Sequence, residues 1–530
     1  MKLNDYYDWI VLGDHPGALL TASLSAKLGH SVLILPFIPF SGLGLSKGGQ
    51  YVDMESNFLT GFSRSDRLNC ILRDSFKKLG ALNAEISQFI YDSAVSQVVT
   101  PSHRFTLTSD DEELALELMR EFGSDFSKRV DLVGTLKHAE QELIGFWSHL
   151  PSRLTINPDK SKKEQGPSEI RKVAKKLVKG LKSGSYRKSW LTSNESIISL
   201  GKKLEMPSFS EALIGTLCLG TGGHPTAETS MSELFQSLVM ARTAFGVKGG
   251  MKAYREFLLR LAERAGAHVA QKGTCKRIFV ERGKFVGVQI ASRGNMVIGR
   301  AGVFGCSLNQ AKEFVFMSGG SWFGKLKESP QPIGWKFTIA LTVQKEAIPP
   351  GMHFRTVWKE EGAPALEIEI ADPVDFNLRE PDRKFIFART LLPFSSEGIG
   401  VEFQRVIASR MLKQLKEIMP FLEYHIVRVY PTLREHESAV RLSTHENESS
   451  DNAILADELS DLYGFASPEV IPECLRVFAG AGVGSRSGIE GLFVATGESY
   501  PKLGPLGPVR AAFESVAWLA HKSGLAGPLN

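Results

Sequence analysis

The sequence predicts an α/β protein of two domains, and three features carry that expectation. A strand, a Gly turn, a helix, a Gly and a second strand follow one another at the N-terminus. Residues 335–393 form a block of alternating, turn-bounded segments. The chain closes on a strand, a Gly/Pro-rich turn and a helix. Length agrees, since 530 residues exceed one ordinary hydrophobic core.

The elements follow in order. Residues 8–12, "DWIVL", read as a short buried strand. "PGALLTASLSAKLG" places Ala18, Ala22, Leu24 and Leu28 at helical spacing, and Gly29 ends the helix. "HSVLIL" is a second apolar strand. A connection of this length permits only a parallel crossover, so the unit is βαβ. Residues 65–150 alternate helical patterns. Residues 157–190 are dense in Lys and Arg, and within them 168–182 predicts a basic amphipathic helix. Ile170, Val173, Leu177, Val178 and Leu181 fall on one face, with Lys172, Lys175, Lys176, Lys179 and Lys182 around the rest. Residues 210–265 read as helices and 268–306 as short strands punctuated by Gly. "WKFTIALTV", "HFRTVWK", "ALEIEIAD" and "KFIFARTLLP" predict a mixed or antiparallel sheet. "FQRVIASRMLKQLKEIMPFL" is a helix and "YHIVRVYP" a strand.

Composition narrows the function. The formal charge of +5, from 63 basic and 58 acidic residues, is too small to argue for nucleic acid as a partner. The five cysteines are scattered without C-x-x-C spacing, so neither a disulfide framework nor a metal site is expected. "MKLNDYYDWIVLG" lacks the layout of a signal peptide, and no uncharged apolar run reaches about 18 residues. A cytoplasmic protein is the expectation, with peripheral membrane contact through 168–182 as its sharper variant. Oligomeric state has no sequence signal.

The first turn, "GDHPGA", stands where a dinucleotide-binding G-x-G-x-x-G belongs. Gly13 keeps the tight turn, Gly17 lies within it, and Ala18 is an accepted third residue. His15 replaces the glycine that lets backbone approach a pyrophosphate, and Asp14 adds negative charge. The acidic residue expected about 20 positions on, for a ribose hydroxyl, is replaced by Pro36. The turn therefore reads either as a dinucleotide site or as a plain buried βαβ unit. "GTGGHP" at 220–225 lacks the Lys-Ser/Thr of a P-loop, so His224 reads as structural. His436 and His445 read as loop histidines. No catalytic residue is singled out.

Residues 213–307 resemble the phytoene desaturase branch of the FAD-dependent amine oxidase superfamily. The matching features are Gly249-Gly250-Met251, Gly266-Ala267-His268-Val269, the strand around Cys275, Gly287-Val288 and "GRAGVFGCSLN". The C-terminal "GLFVATGESYPKLGPLGPVRAAFESVAWLA" is similar to the family's ending, with Gly497, Glu498, Gly504 and Gly507. The resemblance implies a discontinuous Rossmann-like FAD-binding domain over 1–70, 225–310 and 475–530. An α+β substrate domain would take 71–224 and 311–474. It implies FAD contacts at Gly13, His15, Gly17, Ala18, Gly42, Gly44, Cys275, Gly497, Glu498 and Gly507. The family's acidic residue and Gly-Gly-Arg after the second strand are not matched. Gly42 and Gly44, or Gly48 and Gly49, supply glycines, and Lys47 is the nearest cation.

The activity implied is an FAD-dependent oxidoreductase that dehydrogenates or isomerises an apolar, isoprenoid-like small molecule of the carotenoid type. Two alternatives stay open. One is a non-catalytic binding or scaffold protein on a flavoprotein fold that has lost FAD, which His15, Pro36 and the missing arginine motivate. The other is an FAD oxidase acting on a porphyrinogen or an amine.

Overall fold

The computed structural model describes residues 4–35, 44–47, 50–53, 58–59, 71–90, 96–124, 133–134, 136, 213, 215–216, 231–270, 274–291, 296–318, 326–360, 362–376, 381–393, 401–430, 475–478 and 482–522. The basic segment 168–182, the loop around His224, the histidines His436 and His445, and Pro36, Gly42, Gly48 and Gly49 lie outside the described residues.

The expected N-terminal unit is present. β1 (Tyr6–Leu12), α1 (Pro16–Lys27) and β2 (Val32–Leu35) form a βαβ crossover, with β1 and β2 paired in parallel. Pro16 fits the first helical position, where a missing N–H costs nothing. Gly29 ends the helix at φ +87°, a conformation that favours glycine. Every residue from Gly17 to Ala26 is buried. Two of its buried hydroxyls bond within the protein, Thr21 to the Gly17 carbonyl and Ser23 to those of Leu19 and Leu258, while that of Ser25 has no partner. Along β1, Trp9 and Val11 enter one core while Ile10 and Leu12 enter another, so both faces of the strand are covered. That double burial explains the unbroken apolar run "WIVL".

α2 (Gly250–Arg264) packs against α1. An antiparallel meander of β3 (Cys275–Glu281), β4 (Lys284–Ile290) and β5 (Met296–Phe304) follows. β5 lies parallel to β1 on the side away from β2, which makes β1 the interior strand of this first sheet. α3 (Leu308–Phe314) opens on Ser307, whose hydroxyl and backbone form a capping box with Gln310.

The second sheet is mixed, as the alternation predicts. β6 (Pro332–Gln344), β7 (Arg355–Trp358), β8 (Leu366–Ala371) and β9 (Arg383–Pro393) pair antiparallel in the order β6-β9-β8-β7. The strand Ser96–Val99 then joins β7 in parallel. α4 (Val401–Ile418) covers one face, where Met411, Leu412 and Leu415 meet Phe337, Ile339, Leu341, Ile368 and Ile386. The chain returns to the first sheet through β10 (Leu492–Val494), parallel to the end of β5, and closes on α5 (Leu506–Lys522) beside α1.

Candidate functional site

The ends of β1, β5 and β10 converge beneath the start of α1. Gly13, at φ +108°, donates its N–H to the Leu35 carbonyl, and Gly305 donates to that of Leu12. A Cβ on Gly13 would stand 2.6 Å from the Gly305 carbonyl oxygen. A Cβ on Gly17 would stand 2.4 Å from the Ala495 oxygen and 2.7 Å from the Pro508 Cβ. These glycines, with Ala18 packed against Gly305, let three strand ends and two helix starts meet.

His15 caps α1. Its Nδ1 accepts the Gly17 N–H at 3.2 Å, and the Ala495 carbonyl stands near the ring. An accepting Nδ1 puts the proton of the neutral ring on Nε2. Burial first, then the nearby Arg255 cation, pushes the ring down to about 4, against the opposing pull of the Ala495 carbonyl. His15 is therefore uncharged at neutral pH. Burial raises the Asp14 carboxyl, while Arg255 and the Asp14 N–H act the other way. Arg255 is a buried cation brought from α2, more than 230 residues along the chain.

Glu498 is 2 % exposed, and its Oε2 accepts the Leu308 N–H at 2.9 Å. It thus bonds the first turn of α3. Gly497 beside it is exposed, and a Cβ there would meet no atom within 4 Å. In the first turn of α5, Gly507 donates to the Gly504 carbonyl and Pro508 has no N–H. A Cβ on Gly507 would stand 2.4 Å from the Tyr500 oxygen, so this glycine serves a close approach within its own loop.

Cys275 opens β3 and is buried. Its Sγ donates to the Arg277 carbonyl at 3.6 Å, and burial pushes the thiol up to about 12. Cys306 is also pushed up, by burial first and then by Glu498 and Cys275. Both thiols are protonated and unreactive at neutral pH. Gly44 lies apart in a hairpin of Gly44–Lys47 with Gln50–Asp53.

The structure therefore gathers Gly13, His15, Gly17, Ala18, Gly305 and Ala495 at one turn, with Glu498 and Cys306 nearby. The groups present do not fit FAD through this turn. The Gly17 amide, which a pyrophosphate oxygen would take, is bonded to His15. Sequence reasoning missed Arg255 and Gly305, which only tertiary packing brings to the turn. Among the described residues no group of three or more His, Cys, Asp or Glu is placed to hold a metal ion. No described helix is long and apolar enough to cross a membrane.

No protein-family model and no curated protein matches the chain. Solved structures do. An oxidoreductase from Methanosarcina mazei is 14% identical, covering 94% of this chain and 98% of its own, with a TM-score of 0.55. A putrescine oxidase bound to putrescine is 13% identical over 97% of this chain and 98% of that one, with a TM-score of 0.49. A Rab GDI from Plasmodium falciparum is 10% identical over 81% and 89%, with a TM-score of 0.43. The first likeness shows the fold: a Rossmann-like unit joined to a sheet-rich one.

Proposed function

We propose that this chain is a ligand-binding protein built on an oxidoreductase fold, in which the helix terminus that would hold a dinucleotide is capped by the protein itself. The carrying observation is the His15 ring, whose Nδ1 already takes the Gly17 amide. A neutral imidazole offers no charge to phosphate, and displacing it strands that amide, at a cost of about 1–3 kcal/mol. The test is thermal unfolding of the full chain with increasing FAD or ADP. The midpoint is expected to stay constant. A midpoint that climbs with FAD concentration, as specific binding requires, would overturn the reading.

A second reading keeps FAD and an oxidoreductase role. Arg255, a cation beside the turn, and the open position at Gly497 favour it. In that reading Arg255 offsets phosphate charge and the His15 ring swings aside. An apolar isoprenoid is not the substrate that the rest of the molecule favours, because the face of the second sheet opposite α4 is charged.

A further inference from the structure

The second sheet has two unlike faces. Residues paired directly across antiparallel strands share a face. The pairings Arg355 with Glu369, Glu367 with Arg389, and Arg389 with Thr338 therefore place these side chains together, opposite the face that α4 covers. Lys336, two residues before Thr338, joins them. This face is turned inward. Its Val98 and Val357 belong to the same core as Ala18 of α1 and Leu258 of α2.

The cluster is linked by short ion pairs. Glu367 receives Lys336 at 2.7 Å and Arg355 at 3.1 Å, and Glu369 receives Arg389 at 2.7 Å. Burial alone would raise the Glu367 carboxyl, but Lys336, Arg355 and Arg389 override it and hold the carboxyl well below its ordinary range. Among the described residues the cluster holds three cations and two carboxylates, an excess of one positive charge. Arg355 is 4 % exposed. One of its nitrogens bonds Glu367, and its guanidinium lies 4.7 Å from the centre of the Phe58 ring. Nε and Nη1 have no hydrogen-bond partner. On the same face the buried hydroxyl of Thr338 is also without one.

A buried donor without an acceptor is expensive, and Arg355 and Thr338 each offer one. A single ligand of acceptor chemistry meets both needs. We propose that this inner face binds a small oxyanion, a carboxylate on an aromatic or apolar body, with Arg355 as its principal partner and Thr338 as a further donor. The Phe58 ring beside the guanidinium suits an aromatic body, and a protonated amine would meet like charge. The inference goes beyond the capped turn and stands whether or not FAD binds.

The test uses the full chain and thermal unfolding, with sodium benzoate, neutral benzamide, inorganic phosphate and sodium chloride at matched ionic strength. Benzoate at about 100 times its dissociation constant is expected to raise the midpoint by about 2–4 °C, with benzamide and chloride inert. A rise with phosphate in place of benzoate would keep the oxyanion site and reassign its ligand to a phosphate ester. The variant Arg355→Gln, with its fold checked by circular dichroism, should lose the rise. Equal rises with benzamide or chloride, no rise with either oxyanion, or a rise retained in Arg355→Gln would each overturn the proposal. The comparison among probes on the unaltered protein does not depend on how the variant folds.

Discussion

The turn at Gly13 and the inner face of the second sheet are built on opposite principles. At the turn, the Gly13 and Gly17 amides are bonded within the protein, the second to the His15 ring. On the inner face, Arg355, Glu367, Glu369 and Arg389 are buried, and Arg355 keeps two nitrogens without acceptors. The glycine pattern of the first turn points to the first place as the binding site. Unmet hydrogen bonds point to the second. Where polar groups are already paired, a ligand must break bonds to enter; where they are not, it forms them.

The largest expected effect breaks the inner face. Glu367→Gln removes the carboxylate that Lys336 and Arg355 share, so these cations face Arg389 with one partner fewer. A loss of about 3–5 kcal/mol is expected in denaturant unfolding. A loss under about 1 kcal/mol would mean that the cluster is open to water and weakly coupled.

Next comes Gly17→Ala. The new Cβ would press on the Ala495 oxygen and on Pro508, so about 2–3 kcal/mol should be lost. Near-neutrality would show the strand ends and helix starts to be further apart than described.

The third prediction is a pH dependence. The folded His15 ring titrates near 4 and the unfolded one near 6.5. Between those values the unfolded state binds more protons, so stability falls as pH drops through that window. From pH 7 to pH 5 the loss is about 2 kcal/mol. Glu367 adds nothing to this window. Its folded carboxyl lies below its ordinary 4.5, so its contribution is full above that pH and is lost only at lower pH. The variant His15→Asn, which keeps a capping side chain without an ionising ring, should flatten the slope between pH 7 and 5. An unchanged slope would assign the effect elsewhere.

The smallest effect is at Gly497, where a Cβ meets nothing. Gly497→Ala is expected to change stability by no more than about 0.5 kcal/mol. The contrast with Gly17→Ala sharpens the comparison, since both glycines read alike as cofactor contacts in the sequence.

The βαβ unit was legible because its signals are local: an apolar run, a Pro at the first helical position, a Gly at the end. The mixed second sheet was legible from alternation. What alternation hid was burial. In "ALEIEIAD" alternation does not say what the acidic positions meet, and Glu367 and Glu369 are closed in by neighbouring strands and by the first core. Opposite charges at matching positions on neighbouring strands, Lys336, Glu367 and Arg389, were the available signal. It needs the strand order before it can be read. At the turn, His15 was visible as a departure, but the Ala495 carbonyl and the Arg255 cation beside it come from distant segments. Glu498 likewise bonds an amide 190 residues away.

The most direct measurement is the visible absorption spectrum of the protein after incubation with FAD and passage through gel filtration. A capped turn predicts a colourless protein, with all flavin in the small-molecule fractions. Flavin bands that travel with the protein would contradict the account and show that His15 gives way to the phosphates.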